Sequence, residues 1–329
     1  MIASNRQRVL VADIGGTNAR FAIAERNGSG ATIRDLMIVR TKDYPTFSNA
    51  WRAFAAGRDL GGLGALGVSF AGPVGAAPVR LTNGAWSLDP EELAVSLGLQ
   101  TVTVVNDLAA IARAVPVLPD GSFKRLCGPV SGRPLGPVTS VVGLGTGLGL
   151  ALLVDGDGEP NVIACEGGHI GYAPQSDTDF RILKQLQERY GRVSVERIVS
   201  GNALRDLIEA RGGQIDPCDS DVDLWAAAIA DCNQVANQAL EVMLANLGSV
   251  AGDFVLAHGS QSLVLAGGLM GRLQARLEDS EFADRFYAKG RLSNHLANIP
   301  VFCLDDDIAG LVGAALSLPP SIGLQFDGP

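Results

Sequence analysis

Apolar residues along this chain come in short runs between glycine-rich or polar turns, and the runs alternate between strand-like and helix-like spacing. Val9 to Ala12 and Phe21 to Ala24 are rich in strand formers. "DIGGTNAR" separates them, so the pattern predicts a hairpin. "TFSNAWRAFAAG" places Trp51, Phe54 and Ala55 on one helical face, and "LGALGVSFAGPV" reads as a buried strand running into a Gly-Pro turn. "DPEELAVSLGL" predicts a helix with Asp89 as its cap, Pro90 at its first position and Glu92 at the capping-box position. "TVTVVND" predicts a strand ending on Asn106-Asp107, and "LAAIARAV" a helix as far as Pro116.

"PVLPDGSFKRLCGPVSGRPLGP" has no period and is rich in Pro and Gly, which marks a boundary before a strand restarts at Val138. Helical patterns follow in "FRILKQLQERYG" and "LWAAAIADCNQVANQALEVMLANLGS". "SLVLAGGLM" is a strand ending in a glycine turn, and "DIAGLVGAALSL" a last short helix. Alternation of this kind places the chain in the α/β class.

One pattern occurs twice. "VLVADIGGTNARFAIAE" and "SVVGLGTGLGLALLVDG", about 130 residues apart, both read strand, glycine turn, strand, which suggests a duplicated α/β unit. If the two units face each other, both turns converge on one polyphosphate; two unrelated glycine-rich hairpins are the plainer alternative.

The turns narrow the chemistry. Gly15 and Gly16 permit positive φ and close backbone approach, although polar hairpin turns need no ligand. "GLGTGLG" is not a dinucleotide fingerprint, because a strand, "LALLVDGDG", follows it where that fingerprint needs a helix. The chain contains no GxxxxGK[ST] loop and no protein-kinase motif set. What remains is a hairpin whose N–H groups and Thr146 hydroxyl cradle phosphate, or a glycine-rich sheet corner.

Composition constrains the setting. The 329 residues suggest two domains, with 47% hydrophobic and 19% charged residues. A net charge of −9 and a pI near 4.9 argue against nucleic-acid and membrane partners, so an anionic ligand needs a local site. Five scattered cysteines without a CxxC pair suggest reduced thiols in a cytoplasmic protein and no structural zinc. The N-terminus reaches Asp13 before a signal-peptide core forms. The most apolar run, Val141 to Val154, has 14 residues and four glycines, short of the ~20 of a membrane span.

In order along nearly the whole chain, several segments resemble those of bacterial glucokinases, in the hexokinase/actin/Hsp70-like ATPase superfamily. "DIGGTNAR" is similar to that family's first phosphate motif, "GLGTGLG" to its second and "VLAGGL" to its adenosine motif. "LTNGAW", "VVNDLAA", "EGGHIGYAP" and "RVSVERIVSG" resemble its sugar-binding segments. No cysteine follows His169 in "IGYAPQSDTDF", which separates the chain from the zinc-dependent ROK branch. "GY" after "EGGHI" and the spelling of "CLDDDIAGLVGAAL" depart from some relatives.

The resemblance implies a two-lobed, duplicated actin-like ATPase fold with ribonuclease H-like lobes and a ligand cleft between them. Residues 1–117 with 306–329 form the expected small lobe and residues 118–305 the large one. It implies ATP-dependent phosphorylation of D-glucose to glucose 6-phosphate by a cytoplasmic enzyme, expected to be a homodimer, with Asp107 as general base. Asn83, Asn106, Asp107, Glu166, His169 and Glu196 would contact the sugar. Asp13 would orient Mg²⁺ through water, with Gly15, Gly16, Thr17 and Asn18 near the phosphates. Gly145, Thr146 and Gly147 would meet those phosphates from the other lobe, and Gly267 and Gly268 would pass close to adenosine. By residue chemistry alone, Asp107 is equally a helix cap, Glu196 a helix start, Asn83 an Asn-Gly turn and Asp13 a turn residue. A sugar-sensing regulator without turnover and a kinase for another hexose or an acylamino sugar are the alternative functions.

Overall fold

β1 (Gln7–Ile14) and β2 (Asn18–Asn27) form the hairpin that the first two apolar runs predict, pairing antiparallel from Gln7↔Arg26 to Ile14↔Ala19. The computed structural model describes residues 7–28, 30–72, 74–75, 77–81, 84–130, 135–156, 160–216 and 218–319. The chain divides into two units, Met1–Leu118 with Asp306–Pro329, and Pro119–Asp305.

The first unit continues through β3 (Gly30–Arg40), α1 (Phe47–Ala55), β4 (Ala65–Phe70), β5 (Val79–Arg80), β6 (Ser87–Leu88), α2 (Pro90–Leu97), β7 (Thr101–Asn106) and α3 (Asp107–Ala114). Its main sheet has the order β3-β2-β1-β4-β7, with β4 parallel to both β1 and β7. Thr46 caps α1 by accepting from Asn49 N, and Asp89 caps α2 by accepting from Glu91 N and Glu92 N. Phe47, Trp51 and Phe54 of α1 gather around Phe21 of β2, with ring centroids 5.4, 6.2 and 5.9 Å away. Stacked and edge-on contacts at that range add to the large apolar area such rings bury.

β3 is an element that the apolar pattern does not predict. Its exposed positions do not alternate regularly, Asp35 has φ +51°, and its ladder to β2 slips between Phe21 and Ile23. An edge strand pairs on one side only and needs no clean apolar face.

The second unit contains β8 (Phe123–Cys127), β9 (Val138–Leu144), β10 (Leu148–Val154), β11 (Asn161–Cys165), α4 (Asp177–Tyr190), α5 (Ala203–Ala210), α6 (Asp221–Ile229), α7 (Gln234–His258), β12 (Ser262–Ala266), α8 (Met270–Glu278), α9 (Phe282–Tyr287), α10 (Ser293–Leu296) and β13 (Val301–Leu304). Its sheet order is β11-β10-β9-β12-β13-β8. Within it, β11-β10-β9-β12-β13 repeats the plan of the first sheet: an antiparallel meander, then two parallel strands. The two strand-turn-strand segments thus belong to a duplicated unit. β8, an added edge strand antiparallel to β13, lies in the stretch read from sequence as an aperiodic boundary. The single long helical pattern of residues 224–249 is in fact two helices. Asp231 has φ +55°, which ends α6, and Asn233 starts α7 by accepting from Val235 N and Ala236 N.

Among the described residues α7 alone is long and apolar enough to cross a membrane; 78% of its most apolar window is buried in the protein. Finally the chain returns to the first unit as α11 (Ala309–Leu316), which packs on β1, β4 and α3. A side chain on Gly67 would collide with Ala314 O and one on Gly313 with Ala110 O, so both glycines are there for close backbone approach.

Candidate active site

Asp13 stands near the C-terminal end of β1, opposite Ser69 of β4, which in turn lies opposite Val105 of β7. Parallel strands put their carboxyl-end residues on one edge, where open α/β sheets present ligand groups. The Asp13 carboxylate accepts from Ser69 Oγ at 2.6 Å and from Arg20 Nη1 at 3.4 Å. Burial pushes its pKa up, against the Ser69 bond and the Arg20 charge. Arg20 also lies 3.6 Å from Asp307, while its Nε is buried without a hydrogen-bond partner. A Cβ on Gly310 of α11 would sit 2.8 Å from Asp13 Oδ1, so the returning helix closes one side of this carboxylate.

The first glycine turn is held from both sides. Gly15 N donates to Asn18 O at 2.9 Å, and Thr41 donates from Oγ1 to Gly16 O at 2.6 Å and from N to Thr17 O at 3.0 Å. Neither Gly15 nor Gly16 takes a positive φ, contrary to the conformational reading of this turn. The value of Gly15 here is space, since a Cβ on it would approach Asn18 O to 3.3 Å. Thr17 and Asn18 are exposed.

Asn106 and Asp107 divide their duties differently from the cap alternative. Asn106 caps α3, its Oδ1 accepting from Leu108 N and Ala109 N at 3.1 Å each, while its Nδ2 has only a 3.4 Å contact to Gly72 O. Asp107 is the first helical residue and accepts from Leu108 N at 2.9 Å. Its carboxyl is pushed up to about 6, first by burial and further by the Asp13 charge, while the Leu108 bond pulls it down. Such a carboxylate is mostly ionised at neutral pH yet basic enough to take a proton.

In the second unit, Gly145, Thr146 and Gly147 join β9 to β10, with Gly145 N donating to Gly147 O at 3.0 Å. Gly201 N donates to Gly145 O at 2.7 Å and Asn202 N to Thr146 O at 3.3 Å, so the segment after Glu196 backs the turn. Glu196 itself accepts from Leu148 N at 2.9 Å through Oε2. It lies in a 3₁₀ turn, Val195–Arg197, not at an α-helix start.

Glu166 precedes another 3₁₀ turn, Gly167–His169, and His169 is its last residue. Side chains on Gly167 or Gly168 would collide with Leu150 or Leu148 O, so the turn lies flat on β10. The Glu166 and His169 side chains are exposed, with 3.9 Å between Glu166 Oε2 and His169 Nε2. Arg192 Nη2 donates to His169 O at 2.8 Å, and Val195 N to Ile170 O at 3.0 Å. Downstream, Tyr172 OH donates to Asn246 Oδ1 at 2.7 Å, and Asn246 Nδ2 to the buried Asp179 at 2.9 Å. This chain of bonds ties the turn to α7 and α4.

Gly267 ends β12 with φ +105°, and a side chain there would collide with Leu144 O. Gly268 faces open space. Asn83 lies outside the described residues. Sequence reading assigned nothing to Ser69, Arg20, Thr41, Arg192 or Tyr172. Arg20 stands inside "DIGGTNAR" and offered a signal; the others are ordinary strand or loop residues whose partners are distant in sequence.

A glucokinase family model matches residues 10–320. The chain is 37% identical to a glucokinase of Zymomonas mobilis, over 93% of this chain and 96% of the relative. It is 36% identical to one of Caulobacter, over 94% and 95%. A crystal structure of a glucokinase from an Antarctic psychrotroph superposes with a TM-score of 0.79 at 31% identity, covering 94% of this chain and 98% of that one. A Streptomyces griseus ROK-family glucokinase solved with glucose and AMPPNP shares the fold, with a TM-score of 0.64 at 22% identity over 94% and 98%.

Proposed function

The chain belongs to the glucokinase family, and from that membership we propose how its own residues carry out ATP-dependent phosphorylation of glucose. The match over residues 10–320 carries the activity. The roles below rest on geometry within each unit.

Asp107 is the general base. It takes the proton of the sugar's 6-hydroxyl as that oxygen bonds to the γ-phosphorus and the bond from phosphorus to the β–γ bridging oxygen breaks, releasing ADP. Asn106 keeps its amide NH₂ for a sugar hydroxyl, because the cap engages only its oxygen. Glu166 and His169, exposed on one short turn, offer an acceptor pair and a ring nitrogen to adjacent hydroxyls. Glu196 contributes a further acceptor. Asn83 is assigned to the sugar by the resemblance of "LTNGAW" alone. A polyhydroxylated ligand loses many water bonds on entry and requires this density of partners.

With Gly15 N and Gly145 N engaged inside their own turns, the remaining N–H groups of Gly16–Thr17 and Thr146–Gly147 face the phosphate oxygens in this reading, with the Thr146 hydroxyl beside them. The buried, unpaired Arg20 Nε suits an anionic neighbour. Gly268 leaves open space for adenosine, and Gly267 turns the backbone beside it.

Asp13 fits a magnesium ion held through water: it is a hard oxygen donor whose charge burial leaves undercompensated. When bound, magnesium neutralises charge on the ATP phosphates. The family resemblance extends this reading to a cytoplasmic homodimer, which fractionation and light scattering check.

The direct test is a sugar panel with ATP and Mg²⁺, following ADP release. We expect release with glucose above other hexoses and acylamino sugars. Glucose binding without ADP release would favour a sensor, and preference for another sugar would reassign the substrate.

A further inference from the structure

Glu196 stands between two pieces of machinery that the preceding roles keep apart: its carboxylate touches one, and the residues just before it touch the other. Its Oε2 accepts from Leu148 N at 2.9 Å, immediately after the Gly145–Gly147 turn, and a side chain on Gly147 would collide with that same oxygen. The backbone just beyond Glu196 holds the turn as well, through the bonds from Gly201 N to Gly145 O and from Asn202 N to Thr146 O. On its other side, Val195 N bonds Ile170 O, and Ser194 bridges to Gly171, next to the turn bearing Glu166 and His169. Glu196 is half-buried, and the bond from Leu148 N holds one of its carboxylate oxygens in place.

We propose that Glu196 is a positioning residue that couples sugar recognition to the second phosphate turn, one oxygen fixing Leu148 N while the other accepts a sugar hydroxyl. Sugar binding then orders the turn that receives ATP phosphates, and a change in the turn is felt by the sugar. The idea rests on the assignment of glucose and ATP made above. Its particular content is the shared carboxylate.

Three variants separate this from a purely sugar-binding or purely structural Glu196. Glu196→Gln keeps an oxygen for Leu148 N and loses the charge, so glucose Kd should weaken by about tenfold or more while KM for ATP stays within about threefold. Glu196→Ala removes both bonds, and both constants should rise by about tenfold or more. Gly147→Ala is the sharper probe. Gly147 does not take the left-handed backbone that disfavours alanine. Its new Cβ therefore acts by displacing Glu196 Oε2, and glucose Kd measured calorimetrically without nucleotide should weaken by about tenfold.

A folded Gly147→Ala protein with wild-type glucose affinity overturns the coupling, as does a Glu196→Ala protein whose ATP KM matches that of Glu196→Gln. The wild-type protein gives a variant-free reading if alanine prevents folding. Glucose alone should slow amide hydrogen exchange across residues 145–149, and unchanged exchange at saturating glucose overturns the proposal. A wild-type protein that binds no glucose at all would instead overturn the glucose assignment itself.

Discussion

The Asp13 carboxylate raises the proton affinity of Asp107, adding its charge to a larger effect of burial. Asp13 lies on β1 and Asp107 directly follows β7, the two strands on either side of β4, about 10 Å apart by strand spacing. At that range, in a partly buried setting, like charges still interact. With Asp107 pushed up to about 6, kcat/KM for glucose should fall as pH drops through that value, because protonated Asp107 accepts nothing. Asp13→Asn removes the neighbouring charge and should move this acidic limb to lower pH, whatever it does to the plateau. A pH–rate profile from pH 5 to 8 measures both, and an unmoved limb would show that burial alone sets the value.

Asp107→Asn should retain glucose binding by calorimetry while kcat falls by ~10²–10⁴. It should also be more stable than wild type at neutral pH. The folded protein holds the Asp107 proton more tightly than the unfolded chain does, so this group's contribution to stability is full below about pH 4. It is lost as pH rises through about 6. Asparagine cannot ionise and keeps an oxygen for Leu108 N, so the variant should gain about 1–3 kcal/mol at pH 7.5 and nothing at pH 4. Melting curves at the two pH values decide this.

Glu166→Gln and Thr146→Val should separate sugar from phosphate recognition. Losing one charge-assisted bond to a hydroxyl corresponds to roughly ten- to 150-fold in glucose affinity. Removing the exposed Thr146 hydroxyl should raise KM for ATP and leave glucose affinity within about threefold, since Glu196 and Leu148 N stay in place. The reverse pattern would mean that these two assignments are exchanged.

Tyr172→Phe tests the support beneath the Glu166–His169 turn. It leaves the buried Asn246 Oδ1 without its 2.7 Å donor, which should cost about 1–3 kcal/mol. Because the network holds the turn without reaching the sugar, glucose Kd should weaken less than in Glu166→Gln. Denaturant melts and calorimetry give the two numbers.

Much of this molecule is legible in the residues themselves. The two glycine hairpins, the Asp89 and Pro90 start of α2, and the end of β7 at Asn106-Asp107 follow from local rules. Each depends on residues within one or two turns of chain, where propensity, capping and alternation act. What escapes are elements specified by distant partners. β3 and β8 exist because β2 and β13 offer an edge to pair with, and the break between α6 and α7 is a single backbone torsion at Asp231.

At the site, the sequence alone determined which chemical groups are present and their order: a carboxylate before a glycine turn, an Asn-Asp pair after a strand, and acidic residues beside a histidine. Tertiary structure decided which atoms of those groups are available. The cap engages the oxygen of Asn106, burial and Asp13 set the proton affinity of Asp107, and Leu148 N claims one oxygen of Glu196. The reason is physical: hydrogen bonding and desolvation depend on what lies within a few ångströms, and the neighbours of Glu196 and Asp13 are 48 and 56 residues away along the chain.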